Sequence, residues 1–154
     1  MKLKPNYFII PLIAITLSAL GGYFTSQGLA NWYPALTKPS FTPPGSVIGM
    51  VWTIIYILSS IACLIVVNKI KDNKKIINFF IINAFLNLTW SLIFFTFNLV
   101  LIAFFWAILL GLSVFVIILL SYKKSKSVAF LMLPYLLWVS FASYLNYIIY
   151  ILNK

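Results

Sequence analysis

The segment that organises this chain is Trp32-Tyr33-Pro34-Ala35-Leu36-Thr37-Lys38-Pro39-Ser40-Phe41-Thr42-Pro43-Pro44, the only long polar and proline-rich interruption in an otherwise strongly apolar sequence. Its prolines lack a backbone N–H and fix φ, so we expect neither helix nor sheet strand within it. Trp and Tyr are enriched at bilayer surfaces, but aromatic residues on a proline-stiffened loop also suit a lid over a ligand. The residues by themselves leave both interpretations open.

The composition around this segment is that of a membrane protein. Of the 154 residues, 64% are hydrophobic and only 8% are charged, and the mean hydropathy is +1.09. Soluble domains carry roughly a quarter charged residues. We therefore expect one membrane domain over residues 1–154 and no second domain.

Five apolar runs are each near or above the length of about 20 helical residues that crosses a hydrocarbon core. They cover residues 7–25, 47–67, 76–97, 99–120 and 128–152, and the loop over residues 26–46 contains the segment quoted above. Asn98 alone separates the third run from the fourth, and because Asn tolerates a left-handed backbone we expect a tight reversal there. The predicted fold is all-α, a polytopic membrane protein with a five-transmembrane-helix bundle.

Lysines are distributed unequally between the two ends of the spans. Nine of the eleven fall at the N-terminus and in the loops after the second and fourth spans, whereas Lys38 and Lys154 fall at the opposite ends. Because cytoplasmic loops are enriched in positive charge, we expect a cytoplasmic N-terminus, with the C-terminus and the proline-rich segment over residues 32–44 outside. The abundance of Lys, Asn and Ile favours a bacterial cell membrane as the location.

The sequence lacks the side chains that most catalytic and metal sites require. It contains no His, its one carboxylate (Asp72) lies among lysines in a loop, and its lone Cys63 falls within the second span. Acid–base pairs, metal clusters and Ser-His-Asp arrangements are therefore excluded, and we expect no metal and no cofactor. Without Arg the chain has no guanidinium group to form bidentate hydrogen bonds with phosphates or bases, so we expect no nucleic-acid partner.

Polar and aromatic side chains instead recur at helical spacing within the spans. Asn83, Asn87 and Trp90 share one face of the third span, and Trp138 and Asn146 share one face of the fifth. Since an amide in hydrocarbon is costly unless it finds a partner, the three asparagines should face the bundle interior. They fit either hydrogen bonds that join helices or the lining of a mostly apolar ligand cavity.

Small residues repeat every four positions on two spans, and such stripes let helices approach closely in lipid. One stripe lies on the first span and one on the fourth: Ala14, Ser18, Gly22 and Ser26, then Ala103, Ala107 and Gly111. Each suits either the bundle interior or a homodimer interface, and the sequence does not choose between them.

Three ordered blocks carry a family resemblance. The first is W-Y-x-x-L-x-K-P-x-F-x-P-P at residues 32–44, followed by V-W-T-x-x-Y at 51–56. The second is N-x-x-W-x-x-I-F-F at 87–95, and the third is P-Y-L-x-W-x-x-F-A-x-x-L-N-Y at 134–147. With these blocks the chain resembles, over nearly its whole length, the translocator-protein family, whose members are also called TspO or tryptophan-rich sensory proteins.

The resemblance implies a membrane receptor or sensor whose first loop closes a cavity for porphyrins, such as protoporphyrin IX, and other flat hydrophobic ligands. The ligand-binding positions that it implies are Trp32, Trp52, Tyr56, Asn87, Trp90, Phe94, Trp138, Ala142 and Asn146. With no His for axial haem ligation, a metal-free porphyrin is the expected tetrapyrrole.

Two activities are open within this resemblance. Some family members are linked to light- and oxygen-dependent porphyrin breakdown, and here Trp52 and Trp138 would be the oxidisable catalytic residues. The alternative is a transporter of tetrapyrroles or sterol-like lipids across the membrane.

The chain departs from the family pattern at three places, one of which is Ser59-Ser60 in the second span, where the family has Met-Gly. The family often carries an acid four residues after the Trp of the fourth span, and here that Trp is Trp106 and the later position is Leu110. A sterol-binding pattern near the C-terminus is met only in displaced form, by Leu145, Tyr150 and Lys154, and such patterns are weak.

Overall fold

The structure is a computed structural model that describes residues 4–154, and it confirms the all-α, five-span prediction. The long helices are α1 (Asn6–Leu29), α3 (Gly45–Lys69), α4 (Lys74–Ser91), α5 (Val100–Tyr122) and α6 (Lys126–Leu152). A single helical turn, α2 (Trp32–Ala35), lies between α1 and α3, and α4 continues into a π-helical turn over Leu92–Thr96.

Residues 32–44, called the lid from here on, depart from the sequence prediction because the first four of them are helical. α2 begins after Asn31, so Pro34 falls in its first turn, where a backbone N–H has no intrahelical partner to lose. The turn ends at Leu36, whose backbone is extended (ψ 139°). The Lys38 ammonium then donates to the carbonyls of Tyr33 and Leu36, both at 2.8 Å. The expectation of no helix was therefore wrong for α2.

The first helix also runs one turn further than the apolar run predicted. It ends at Leu29 instead of Thr25, because Gly28 lets its backbone lie directly against the π-helical turn. A Cβ added to Gly28 would lie only 2.6 Å from the Phe95 carbonyl oxygen. The loop between α1 and α3 is correspondingly shorter than predicted.

The connection between α4 and α5 is as tight as the sequence indicated. Asn98 has a φ of 59°, in the left-handed region, and the Leu99 amide donates to the Ile93 carbonyl at 3.0 Å. The π-helical turn before it was not predicted, since it leaves no mark on the apolar run. It packs against α1, and its residues Phe94 and Phe95 contact Tyr33 of the lid.

The two ends of the bundle differ in chemistry. At one end the Lys124 ammonium donates to the Asp72 carbonyl at 2.9 Å, and the Asn6 amide donates to the Asn68 amide oxygen at 3.1 Å. These contacts place the lysine-rich loops beside the beginning of α1. The lid lies at the opposite end, over the last turns of α6.

The tightest packing lies between α5 and α6, and the two small-residue stripes have different surroundings. Ala103 and Ala107 on α5 are buried, and a Cβ on Gly111 would lie 3.4 Å from Val139 of α6. This stripe serves the bundle interior. On α1, Ser18, Gly22 and Ser26 are exposed, and the buried small residues are the neighbouring Gly21 and Gly28.

Candidate functional site: an aromatic cavity beneath the lid

A cavity of about 420 Å³ lies between the five long helices, directly beneath the lid. Eight of the nine predicted binding residues line it: Trp52, Tyr56, Asn87, Trp90, Phe94, Trp138, Ala142 and Asn146. The ninth, Trp32, does not line the cavity. Its ring packs edge-on against Phe94 at 5.3 Å, and its neighbour Tyr33, which the sequence did not single out, lines the cavity instead.

One wall of the cavity is a rigid aromatic stack on α4 and the π-helical turn. Trp90 and Phe94 lie nearly parallel, with ring centroids 5.2 Å apart and an interplanar angle of 12°. The Trp90 indole N–H donates to the Ala103 carbonyl of α5 at 3.1 Å, which fixes the orientation of the ring. The adjacent residues Phe94 and Phe95 both line the cavity, where the π-helical turn widens the backbone.

The other two indoles come from α3 and α6. Trp52 meets Tyr135 edge-to-face at 5.8 Å, and Trp138 packs against Phe141 at 5.6 Å. The Trp138 indole N–H is buried and has no hydrogen-bond partner among residues 4–154. Three helices therefore each place one indole at the same cavity.

A chain of hydrogen bonds braces the polar side of the cavity. The Tyr56 hydroxyl donates to the Asn87 amide oxygen at 2.6 Å, and the Asn87 amide nitrogen donates to the Tyr135 hydroxyl at 3.0 Å. Deeper in the bundle, Asn83 donates to the Ser113 hydroxyl at 2.9 Å. Both the oxygen and the nitrogen of the Asn87 amide are thus hydrogen-bonded to other side chains. This residue therefore joins α3, α4 and α6 as well as lining the cavity.

Asn146 lies near the lid end of the cavity and is only partly paired. Its amide nitrogen donates to the Val100 carbonyl at 2.8 Å, which fixes the direction of the amide. Its amide oxygen is buried and lacks a partner within the described chain. The expectation that Asn83, Asn87 and Asn146 face inward holds. Asn87 and Asn146 both join helices and line the cavity, whereas Asn83 joins helices without lining it.

The cavity has a wall of low packing density between α1 and α3. Gly22 and Gly49 both line the cavity and are both exposed, and a Cβ added at either would meet nothing within 4 Å. Thr53 also lines this side and is exposed. This side of the cavity therefore opens onto the outer surface of the predicted spans.

The cavity lining carries no charged side chain among the residues that the structure describes. Leu110, at the position of the family acid, is buried in the cavity wall. Burial raises the pKa of the Tyr33 hydroxyl in the lid above its usual range, so this group remains a neutral donor at physiological pH. Leu145 of the sterol-like pattern is buried and lines the same cavity.

Comparison with known proteins extends the resemblance to the whole bundle. The sequence matches the TspO/MBR family over residues 8–152. It is 36% identical over 151 residues to the tryptophan-rich protein TspO of Archaeoglobus fulgidus, covering 94% of this chain and 98% of that one. It is 36% identical over 124 residues to TspO of Bacillus cereus (80% and 81%) and 27% identical over 134 residues to the tryptophan-rich sensory protein of Cereibacter sphaeroides (85% and 84%).

Proposed function

Because this chain belongs to the TspO/MBR family, we propose that it is a membrane receptor that binds porphyrins and other flat hydrophobic molecules in the aromatic cavity. One observation carries the proposal: Trp52, Trp90 and Trp138, from three different helices, all line one cavity beneath a lid. The volume of about 420 Å³ lies within the range of small-molecule sites, roughly 300–1,000 Å³.

The lining chemistry favours a ligand with a large apolar body. Indole and phenyl faces stabilise a flat ring system through stacking, and the fixed Trp90–Phe94 pair offers such a face without a further loss of side-chain freedom. Among the described lining residues, the Trp138 N–H and the Asn146 amide oxygen are the buried polar atoms that lack a hydrogen-bond partner. No described side chain of the lining supplies an imidazole, which supports a metal-free porphyrin.

A receptor fits the packing better than a transporter does. At the lysine-rich end, Val66, Ile117 and Val128 are completely buried in one apolar cluster, which closes the bundle below the cavity. A transporter would have to open this cluster in a second state. The side toward α1 and α3 instead supports exchange of the ligand with the bilayer.

Titration of the purified protein with protoporphyrin IX in the dark tests the proposal. Binding should quench indole fluorescence in a saturable manner, since three of the five tryptophans line the cavity. Trp106 donates to the Thr89 hydroxyl at 2.8 Å outside the cavity and should keep part of its emission. Quenching that rises linearly without saturation would indicate partition into detergent and would refute a defined site.

Light-dependent porphyrin degradation is a second candidate function, which the placement of Trp52 and Trp138 on the cavity wall supports. No described lining residue is a conventional acid–base catalyst, so excited porphyrin and oxygen would supply the reactivity. Trp52→Phe and Trp138→Phe should keep much of the binding and lose the light-dependent decay of bound porphyrin absorbance. Equal decay in all three proteins at matched occupancy would mean simple photobleaching.

We also propose that the N-terminus is cytoplasmic and the lid lies outside, on the basis of the nine-to-two division of lysines between the two ends. A reporter fused after Lys154 should be active outside the cytoplasm, and one inserted at 69–75 should be active inside. The opposite pattern would reverse both the orientation and the side on which the lid lies.

A further inference from the structure

We infer that Asn153 is a positioning residue that latches the lid over the cavity and sets how long a ligand stays bound. The inference rests on the proposed function for the ligand. The latch itself depends only on contacts within the protein. It joins residues that are 116 positions apart in the sequence.

The Asn153 side chain pairs with the lid backbone as if it were a second peptide group. The Thr37 backbone N–H donates to the Asn153 amide oxygen at 2.9 Å, and the Asn153 amide nitrogen donates to the Thr37 carbonyl at 2.8 Å. The same nitrogen also donates to the Ile149 carbonyl at 2.7 Å, in the last turn of α6. The amide is therefore fixed to α6 on one side and to the lid on the other.

Thr37 is the point of the lid where such a latch has the greatest effect. The residue before it, Leu36, packs on the apolar cluster that contains Phe94 and Ile149. The residue after it, Lys38, holds the Tyr33 and Leu36 carbonyls through its ammonium group. Because these contacts make the segment from Tyr33 to Lys38 one internally fixed unit, holding Thr37 also holds the cavity-lining Tyr33.

A second contact with α6 completes the attachment. Phe41 stacks on Tyr144, with ring centroids 5.9 Å apart and an interplanar angle of 15°. A stacked pair can slide, whereas two hydrogen bonds to a single peptide unit specify both distance and direction. Lifting the lid from the end of α6 therefore requires the Asn153–Thr37 pair to separate.

The latch makes graded predictions for substitutions. Asn153→Asp keeps an acceptor for the Thr37 N–H but loses both donated bonds, and Asn153→Leu loses all three. Thr37→Pro removes only the lid donor and leaves the Asn153–Ile149 bond in place, and the extended backbone of Leu36 is compatible with a following proline. Asn73→Leu is a matched control, because the Asn73 amide makes a similar bond, 2.9 Å to the Val66 carbonyl, at the lysine-rich end.

Hydrogen–deuterium exchange of the full chain in nanodiscs tests the latch without any ligand. Exchange in residues 33–42 should rise most in Asn153→Leu, rise less in Thr37→Pro and Asn153→Asp, each of which keeps one of the two bonds to the lid, and stay unchanged in Asn73→Leu. Unchanged lid exchange in both Asn153→Leu and Thr37→Pro would overturn the latch. A rise that spreads equally through α6 in Thr37→Pro would also overturn it, since Asn153 would then only support the helix end.

Dissociation of protoporphyrin IX, followed by recovery of indole emission after a competitor is added, tests the consequence. The two exposed hydrogen bonds predict a dissociation rate about tenfold higher in Asn153→Leu than in wild type, with Asn73→Leu unchanged. Faster lid exchange with an unchanged dissociation rate would overturn the role in ligand residence. A wild-type protein that binds no porphyrin while its variants show faster lid exchange would refute the proposed function and leave the latch standing.

Discussion

The side of the bundle formed by α5 and α6 and the side formed by α1 are built for different tasks. Seven residues of α5 and eight of α6 are buried, whereas α1 buries only Gly21 and Gly28. α5 and α6 meet through small and branched side chains without a gap, but α1 leaves a wall of the cavity unfilled. The comparison indicates that α5 and α6 form the packed scaffold, and that α1 closes its side of the cavity only loosely.

The largest expected effect is on the scaffold. Ile117→Ala removes a completely buried side chain from the α5–α6 cluster and should lower the free energy of unfolding by about 2–5 kcal/mol. Ile15→Ala on α1 is the matched control, since Ile15 is 66% exposed and faces lipid. Thermal unfolding in detergent measures both. Similar losses in the two variants would abolish the distinction between the two sides.

A pair of glycines on α1 tests which face of this helix packs against the bundle. Gly28→Ala places a Cβ 2.6 Å from the Phe95 carbonyl oxygen and should destabilise the protein by about 1–3 kcal/mol. Gly22→Ala meets nothing within 4 Å and should be neutral or slightly stabilising, because alanine favours helix. The same unfolding assay decides, and equal effects at the two positions would mean that α1 packs differently.

Helix α6 lines the cavity as well as packing in the core, and a substitution can test its role in the cavity separately from its role in packing. Ala142→Thr adds bulk and a hydroxyl to the lining and should weaken protoporphyrin binding by roughly 1–2 kcal/mol, or about 5- to 30-fold in Kd. Leu137→Thr, at a position 70% exposed on the same helix, controls for a general effect of threonine. Fluorescence titration measures both, and an unchanged Kd in a folded Ala142→Thr protein would remove this residue from the site.

The smallest expected effect concerns the loosely packed cavity wall between α1 and α3. Gly49→Leu fills part of the wall between α1 and α3 and should slow porphyrin association and dissociation together, each by about threefold, with little change in Kd. Met50→Leu, on the neighbouring lipid-exposed position, is the control. Stopped-flow fluorescence gives both rates. A changed Kd with an unchanged association rate would show that Gly49 contacts the ligand and does not line its route.

Much of this architecture could be predicted from local patterns. Apolar runs of about 20 residues predict the spans because a bilayer has a fixed thickness, and Asn98 predicts the reversal because its side chain tolerates a left-handed backbone. The inward direction of Asn83 and Asn146 follows from the cost of an amide in hydrocarbon.

Other features could not be predicted because they depend on packing between distant segments. Trp32 and Tyr33 are adjacent aromatic residues, and only the turn α2 decides which of them lines the cavity. On α1, the buried Gly21 lies one position before Gly22 of the predicted stripe, and the buried Gly28 lies two positions after Ser26, so spacing alone did not identify the packed face. Pairing of Asn153 with Thr37 across 116 positions leaves no local signal.

The reversal at Asn98 also bears on how the protein enters the membrane. Only residues 97–99 join the π-helical turn to α5, and they carry no charge. Such a tip spans about 10 Å at full extension, so α4 and α5 form one helical hairpin with an uncharged tip. In the orientation proposed above, this tip has to cross the hydrocarbon layer during insertion, and a charge introduced at Phe97 or Leu99 would raise the free-energy cost of that crossing.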